Sequence, residues 1–462
     1  MGIGIFLKTF LPFSFYFFGL VFAALAAFGN VRWALMLVAF LLPLRNFIDK
    51  ILIFPFGNQF IDIMLFGIIV GGIFNKSTVA SQVPSKSSIN TIGLVTVIYL
   101  LISVVWGSFY LYGGFSFDIH DSRIQDWKNF ALLPLLFFLY LKNNITKKEI
   151  WTILAVMCFS MLVVDYYTIN QIKEHSSLIG RDEIKGTFQF LGPNEVAAFL
   201  NEYTIILISV VYALKKGRNK WLLLGLIMAN LYCITFLYSR GAYAGLTLGM
   251  FILFSFRDKK LLIPLILVLV LWQKVLPQNV IDRIKETKTE SGQLDESSQK
   301  RIDIWQQSLS FIKSNPIIGI GFGSFRHMNL ELGDTHNIYV KIMTEQGAIG
   351  IIIFFITIAC FTKESWQLYQ KGDDELSRSL GLGFFCCIFV MMINNLFGDR
   401  WSYLEPNAYL WIFMGLVARL NIMSQGPQAV VQSVPNDIEP VLKDDPPKIR
   451  KKVRYYDPPE RS

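Results

Sequence analysis

The hydrophobic pattern of the chain consists of long apolar blocks separated by short polar segments. Many blocks approach about twenty residues, the length that a helix needs to cross roughly 30 Å of hydrocarbon. Hydrophobic residues make up 53% of the 462 positions and charged residues only 17%, which is too little charge for a soluble protein of this length. The pattern predicts an all-α polytopic membrane protein with a bundle of about 12 (12–13) transmembrane helices.

The blocks and polar segments divide the chain into four regions. Transmembrane helices are expected over 1–276 and again over 336–422. The polar segment 277–335 is expected to form one large loop that contains short helices. The final region, 423–462, is rich in Pro, Asp and Lys, and it is expected to be a disordered basic tail.

Lysine and arginine are concentrated in alternate loops and in the tail, which predicts that these parts are cytoplasmic. The long loop and all four histidines then face the outer, periplasmic side. The side of the N-terminus stays open, because thirteen full spans would place it outside and twelve would place it inside. The block at 31–44 is the weakest, and it or its neighbour is short enough for half a span. The net charge of +9 is explained by the lysines and arginines that orient the helices in the membrane, and no nucleic-acid binding is expected.

Within the long loop, apolar residues recur at spacings of three and four. Ile302, Trp305, Leu309 and Ile312 form one stripe, which predicts an amphipathic helix that ends at Asn315-Pro316. Such a helix suits the outer membrane surface, with Trp305 at the level of the lipid headgroups.

Neither a cofactor nor a metal is expected. All five cysteines lie inside apolar blocks and are interpreted as small core residues. No metal-ligand spacing occurs in an outward loop, which argues against a metal-dependent transfer from a nucleotide sugar. Gly319, Gly321 and Gly323 imitate a nucleotide-binding loop, but they follow no predicted strand and face outward, so that match is discarded.

The segment THNIYVKIMTEQGAIG, at 335–350, is the strongest candidate for chemistry. Asp334 or Thr335 is expected to cap the following helix, with His336 at its N-terminus and Gly347 on the same helical face three turns later. The helix dipole favours a neutral imidazole, which is able to accept a proton from a hydroxyl nucleophile. The alternative is an interfacial histidine bonded to backbone or water.

Arginines at the outer ends of apolar blocks are the second candidate. Arg240, in SRGAYAGL, and Arg301, on the amphipathic helix, are suited to clamp a phosphate because a guanidinium offers paired donors. The alternative is that each side chain snorkels and marks the end of a span. Further outward basic candidates are Arg181, Lys185, Arg400 and Arg45.

A polar stripe occupies the start of the block that follows Gly192. Asn194 and Glu195 are repeated seven residues later by Asn201 and Glu202, so the stripe is expected to face the bundle or a wet cavity. It fits a sugar-binding groove and a transport path equally well. A helix cap with one interhelical hydrogen bond is the structural alternative.

Several motifs together resemble a known family. His336-Asn337, nine residues, Gly347, two residues and Gly350 resemble the signature of bacterial O-antigen ligases. The turn SRG, the segment RIDIW, and the stretches PIIGIGFGSF and GTFQFLGPNEVAAFL are similar to the wider O-antigen ligase and O-antigen polymerase superfamily. The motifs keep the family order over residues 180–400, approximately half of the chain.

The resemblance implies a metal-independent, inverting glycosyltransferase on the periplasmic side of the bacterial inner membrane. It would move an oligosaccharide from undecaprenyl diphosphate to a hydroxyl of a glycan or of lipid A core. Arg240 and Arg301 then match the arginines that hold the diphosphate, and His336 matches the base. The remaining expected substrate-binding residues are Arg181, Asn194, Glu195, Asn337 and Arg400.

One departure from the family pattern shifts the expectation within it. Ligases commonly carry a leucine four positions after the first arginine, where this chain has Ala244, and this favours a polymerase. The alternatives are an O-antigen ligase that acts on lipid A core and, from another class, a transporter or flippase of lipid-linked sugars. Expected partners are the bilayer, the lipid-linked glycan, its acceptor, and a chain-length regulator or flippase.

Overall fold

The computed structural model describes residues 10–74, 88–114, 121–175, 179–285, 296–328 and 334–425. Every regular element in these ranges is a helix. The first nine α-helices are α1 Leu11–Ala27, α2 Arg32–Leu41, α3 Arg45–Ile51, α4 Phe60–Phe74, α5 Ser88–Tyr112, α6 Ser122–Lys142, α7 Lys147–Glu174, α8 Pro193–Val210 and α9 Arg218–Phe236. The next nine are α10 Arg240–Arg257, α11 Leu262–Val270, α12 Trp272–Val275, α13 Gln278–Lys285, α14 Glu296–Ser314, α15 Ser324–Met328, α16 Ile338–Lys371, α17 Glu375–Leu396 and α18 Leu404–Gln425.

Six helices of the described ranges are long and apolar enough to cross a membrane. They are α5, α7, α8, α9, α16 and α17. Three shorter apolar helices lie near the N-terminus, at Leu11–Ala27, Arg32–Leu41 and Gly57–Ile73. The chain is therefore a multi-pass membrane protein, as predicted. The count of about 12 spans and the periplasmic side of the long loop stay predictions.

Two predicted blocks form shorter helices than a span requires. The block at 31–44 contains only the ten residues of α2, which suits the expected half-span. The block at 261–276 is split at Leu271 into α11, with nine residues, and α12, with four. Nine residues rise only about 14 Å, so no single helix of this block crosses a bilayer.

Helices α8 and α17 form the buried centre of the bundle. In their most apolar stretches 78% and 72% of the residues are buried, respectively, against 33% for α9. The polar stripe of α8 faces inward, as predicted. Asn394 Nδ2 donates to Asn201 Oδ1 at 2.8 Å and to Glu202 Oε1 at 2.7 Å, and this network joins α8 to α17.

Helix α16 is broken at Gly347, whose φ of 63° and ψ of −161° are not helical. The loop that follows α14 packs against this broken turn. Ile320 N donates to Thr344 O at 3.0 Å, and Ala348 N donates to Pro316 O at 2.9 Å. A Cβ at Gly347 would lie 2.4 Å from the carbonyl carbon of Ile317, so only glycine permits this approach.

The predicted common face of His336 and Gly347 is wrong. The helix begins only at Ile338, after His336, and it is interrupted at Gly347 itself. Instead, the segment with Gly319 and Gly321 binds the segment that leads to Gly347 through backbone hydrogen bonds. Of the predicted tail, 423–425 continue α18, and 426–462 lie outside the described residues.

Candidate functional site

Five arginines line one cavity of about 300 Å³, which we call the arginine cavity. They come from distant parts of the chain: a short 3-10 turn, the N-terminus of α10, α13, α14, and the loop between α17 and α18. The arginines are Arg181, Arg240, Arg283, Arg301 and Arg400, and Asn194, Tyr238, Ser239 and Asn394 are among the other lining residues.

The structure thus brings together four arginines that the sequence analysis singled out at separate places. Arg283 was missed, because it lies in a polar segment with many charged residues and no motif marks it. Its position depends on α13, whose Val280 and Ile281 are buried and fix the short helix against the bundle. Arg45 lies elsewhere and pairs with Asp49 at 2.7 Å.

Arg181 is held rigidly at one wall of the cavity. Its Nε donates to Leu237 O at 2.8 Å, and a terminal nitrogen donates to Asn194 Oδ1. Burial, with the positive charge of nearby Arg283, lowers the pKa of Arg181 to about 10. The guanidinium therefore stays protonated at neutral pH.

Arg400 is buried at another wall and is fixed by two neighbours. It donates to Asn394 O at 3.2 Å and pairs with Glu195 Oε1 at 3.2 Å. The other oxygen of Glu195 accepts from Gly192 N at 3.0 Å, which closes the first turn of α8. Arg400 Nε has no hydrogen-bond partner among the described residues. Such a buried donor needs an acceptor, and the cavity that Arg400 lines is where a bound anion would supply it.

Arg240 is the first residue of α10, and the start of that helix lines the cavity. Tyr238 has a positive φ of 51°, which turns the chain sharply before the helix begins. Ser239 provides no side-chain cap, and the lining continues through Gly241 and Ala242. The positive end of the helix dipole therefore adds to the positive charge of the arginines.

His336 lies in the loop just before α16 and is also held in a positive-φ conformation, at 49°. This backbone region is uncommon for a residue with a side chain, and its cost is sustained only by surrounding contacts. On one side, Trp305 Nε1 donates to Thr335 O at 3.0 Å. On the other, Asn337 Oδ1 accepts from Tyr339 N at 2.9 Å.

These contacts correct one local prediction and add detail to another. The helix cap is Asn337 rather than Asp334 or Thr335. Trp305 donates its indole proton to a backbone carbonyl, and α14 packs inward through the buried Ile304, while the position of Trp305 at the level of the lipid headgroups stays a prediction. Asn337 also donates from its amide to Leu396 O at 3.2 Å, so its side chain is engaged in structural bonds at both ends.

The imidazole of His336 is accessible to solvent, yet the protein around it removes enough water to lower its pKa. The positive charges of Arg301 and Arg400 lower the pKa further, while the carboxylate of Asp334 opposes them. The direction agrees with the expected neutral ring. Its main cause, however, is desolvation rather than the helix dipole.

Asp334 stays ionised beside this histidine. Burial alone would raise its pKa, but the charges of Lys341 and His336 hold the pKa below its ordinary value. The protonatable ring is thus acted on by an anionic residue and by two cationic residues of the cavity, Arg301 and Arg400. That arrangement sets the pH at which the ring accepts a proton.

The fold and this cavity define a multi-pass membrane protein with a cationic site, two of whose arginines act electrostatically on an accessible histidine. A family model described as O-antigen ligase matches residues 223–355, which contain Arg240, Arg283, Arg301 and His336. The match is consistent with the O-antigen ligase and polymerase superfamily, which the motifs within 223–355 resemble. No curated protein matches the chain.

Proposed function

We propose that this protein transfers an oligosaccharide from undecaprenyl diphosphate to a glycan hydroxyl on the outer face of the inner membrane. The observation that carries the proposal is the convergence of five arginines in one cavity, two of which, Arg301 and Arg400, act electrostatically on His336. Arginine is suited to a diphosphate because its planar fork makes paired, charge-assisted hydrogen bonds. The family match at 223–355 supports glycosyl transfer as the reaction.

Donor binding is assigned to the arginine cavity. Arg240 and Arg301 hold the diphosphate, assisted by Arg181 and Arg400, and the N-terminus of α10 adds its dipole. Asn194 holds Arg181, and Glu195 holds Arg400. In this proposal both side chains also face the glycan. Asn337 acts by fixing the loop that carries His336.

The transfer itself is a displacement at the anomeric carbon. His336 takes the proton of the acceptor hydroxyl as the oxygen attacks that carbon. The bond from the carbon to the diphosphate oxygen breaks, and its electron pair leaves with undecaprenyl diphosphate. The arginines stabilise the negative charge that grows on the leaving group. Because the donor is already activated, the reaction needs no nucleotide. The arginines neutralise the leaving group in place of a metal, and a single displacement inverts the configuration at the carbon.

Within this reaction we favour a polymerase, in which the acceptor is another copy of the repeat unit. The argument is Ala244, one turn after Arg240, where ligases commonly carry leucine. A deletion strain separates the two activities. Single repeat units at the cell surface indicate a lost polymerase, whereas polymer that accumulates on the carrier indicates a lost ligase.

The direct experiment uses purified protein in lipid nanodiscs, with a lipid-linked repeat unit as donor and acceptor and a chelator present. We expect chain extension with the wild-type protein and a loss of at least about 100-fold with His336→Ala. His327→Ala is the matched control, because His327 is exposed and bonds Ser122 Oγ at 3.1 Å. Equal transfer by His336→Ala and wild type would refute the catalytic role, and strict need for a divalent ion would refute metal independence.

The flippase alternative receives no support from the family match. It predicts that the protein moves lipid-linked glycan across vesicles without extending it. The same preparation in sealed vesicles, with donor in one leaflet, distinguishes the two activities, since flipping would survive in His336→Ala.

A further inference from the structure

We propose that Lys341 is a positioning residue that ties the loop of His336 to the loop of Arg400. This inference rests on the proposed function, because it assigns to Lys341 the relative placement of the base and a donor-binding arginine. Lys341 lies in the first turn of α16. Its Nζ is 2.7 Å from Asp399 Oδ2 and 3.7 Å from Asp334 Oδ1, and these two acids belong to the two loops.

The bond to Asp399 anchors the Arg400 loop. The Asp399 side chain is fully buried, and only 13% of the Lys341 side chain is exposed. The other oxygen of Asp399 accepts from Ser402 N at 2.9 Å, which closes the loop around the carboxylate. Asp399 immediately precedes Arg400, whose backbone N–H donates to Asn395 Oδ1 at 2.9 Å. Lys341 therefore anchors this loop at the residue that precedes Arg400.

The interaction with Asp334 reaches the other loop. Asp334 lies two residues before His336, and its Oδ1 accepts from Thr335 N at 2.8 Å. The same oxygen is the one closest to Lys341 Nζ. A single ammonium between two carboxylates thus contacts both loops, and it offsets the charge of the buried Asp399 while it attracts Asp334.

Lys341 is expected to do more than stabilise the fold, because its partner Asp334 also changes the pKa of His336. The carboxylate of Asp334 raises the pKa of His336, while Arg301 and Arg400 lower it and Glu195 raises it. Other charged or titratable groups that act on Lys341 are Asp399, Glu345 and Tyr403. Removing the ammonium leaves Asp334 to interact more strongly with His336. The pKa of the base then rises, and the rate falls at a given pH below neutrality.

The test measures kcat/KM for glycan transfer against pH with wild type, Lys341→Met and Lys341→Arg in nanodiscs. For Lys341→Met we expect a loss of about 10-fold at neutral pH and an upward shift of the acidic limb of the profile. Lys341→Arg keeps a cation and should recover most of the activity. Lys128→Met is the matched control, because the Lys128 pair with Asp62 is exposed to solvent.

Folding is followed for every variant by size exclusion and thermal unfolding. A Lys341→Met protein that is folded and keeps both the wild-type rate and the wild-type pH profile overturns the inference. A loss of transfer activity that is fully explained by a smaller folded fraction also overturns the inference. If Lys341→Met does not fold, Asp399→Asn releases only the Arg400 loop, and it should raise KM for the donor about 10-fold; an unchanged KM overturns the inference. Failure of wild type to transfer glycan, or full activity of His336→Ala, would instead remove the proposed function.

Discussion

The indole of Trp305 donates to the carbonyl of Thr335 across 3.0 Å. This bond joins α14, which carries Arg301, to the loop that carries His336. Trp305 lies one turn after Arg301 on α14. Thr335 immediately precedes His336. One hydrogen bond therefore couples the placement of Arg301, a proposed donor-binding residue, to that of His336, the proposed base. The two bonded residues are separated by thirty positions in the chain.

Trp305→Phe removes this donor and keeps most of the packing area. We expect a loss of transfer of about 3- to 10-fold, since a hydrogen bond of this kind contributes roughly 0.5–1.5 kcal/mol. The melting temperature should change little, because the loop is held from its other side by Asn337. Trp221→Phe, at a position 74% exposed, is the control and should be silent. A silent Trp305→Phe would show that the loop is fixed without this bond.

The pH profile of kcat/KM should carry an acidic limb below the ordinary histidine value of about 6.5, because the pKa of His336 is lowered. A lowered pKa means that the ring is already neutral, and hence a competent base, at neutral pH. Arg301→Gln removes a positive charge that lowers this pKa, so the limb should move upward. Asp334→Asn removes a charge that raises it, so the limb should move downward. Shifts of the opposite sign would exclude His336 as the titrating base.

Gly347→Ala should destabilise the protein by about 2 kcal/mol or more. The added Cβ would lie 2.4 Å from the backbone of Ile317, and φ at this position is 63°. Chemical unfolding in detergent and transfer activity are the measurements. Gly225→Ala is the matched glycine control, because its Cβ would meet nothing within 4 Å and alanine favours a helix. Equal stability of both variants would show that the break in α16 accepts a side chain.

Arg283→Gln should raise KM for the lipid-linked donor about 10-fold with little change in stability. The reason is that Arg283 lines the arginine cavity from α13 while its apolar neighbours keep the helix in place. Lys285→Gln removes the same charge from an exposed position of the same helix. If both variants raise KM equally, the effect is general electrostatics rather than contact with the donor.

Much of the fold could be predicted because apolar length and helical period are local properties. The amphipathic segment ends at Ser314, just before the predicted Asn315-Pro316 stop, and the inward face of Asn201 and Glu202 follows from their seven-residue repeat. Local pattern failed where contacts between distant segments prevail. The break at Gly347 depends on the backbone of Ile317, and no period reveals such a contact.

The sequence by itself determined the membrane class and the candidates His336, Arg240 and Arg301, and it predicted that histidine and arginine cluster on the outward side. These follow from composition, charge distribution and the order of short motifs, all of which are properties of neighbouring residues. Only the tertiary structure decided that the arginines share one cavity and that Arg283 joins them. It also decided that Asn337 rather than Asp334 caps α16. The physical reason is that a cavity and an ion network are assembled from segments far apart in the chain, and helix packing sets the distances between them.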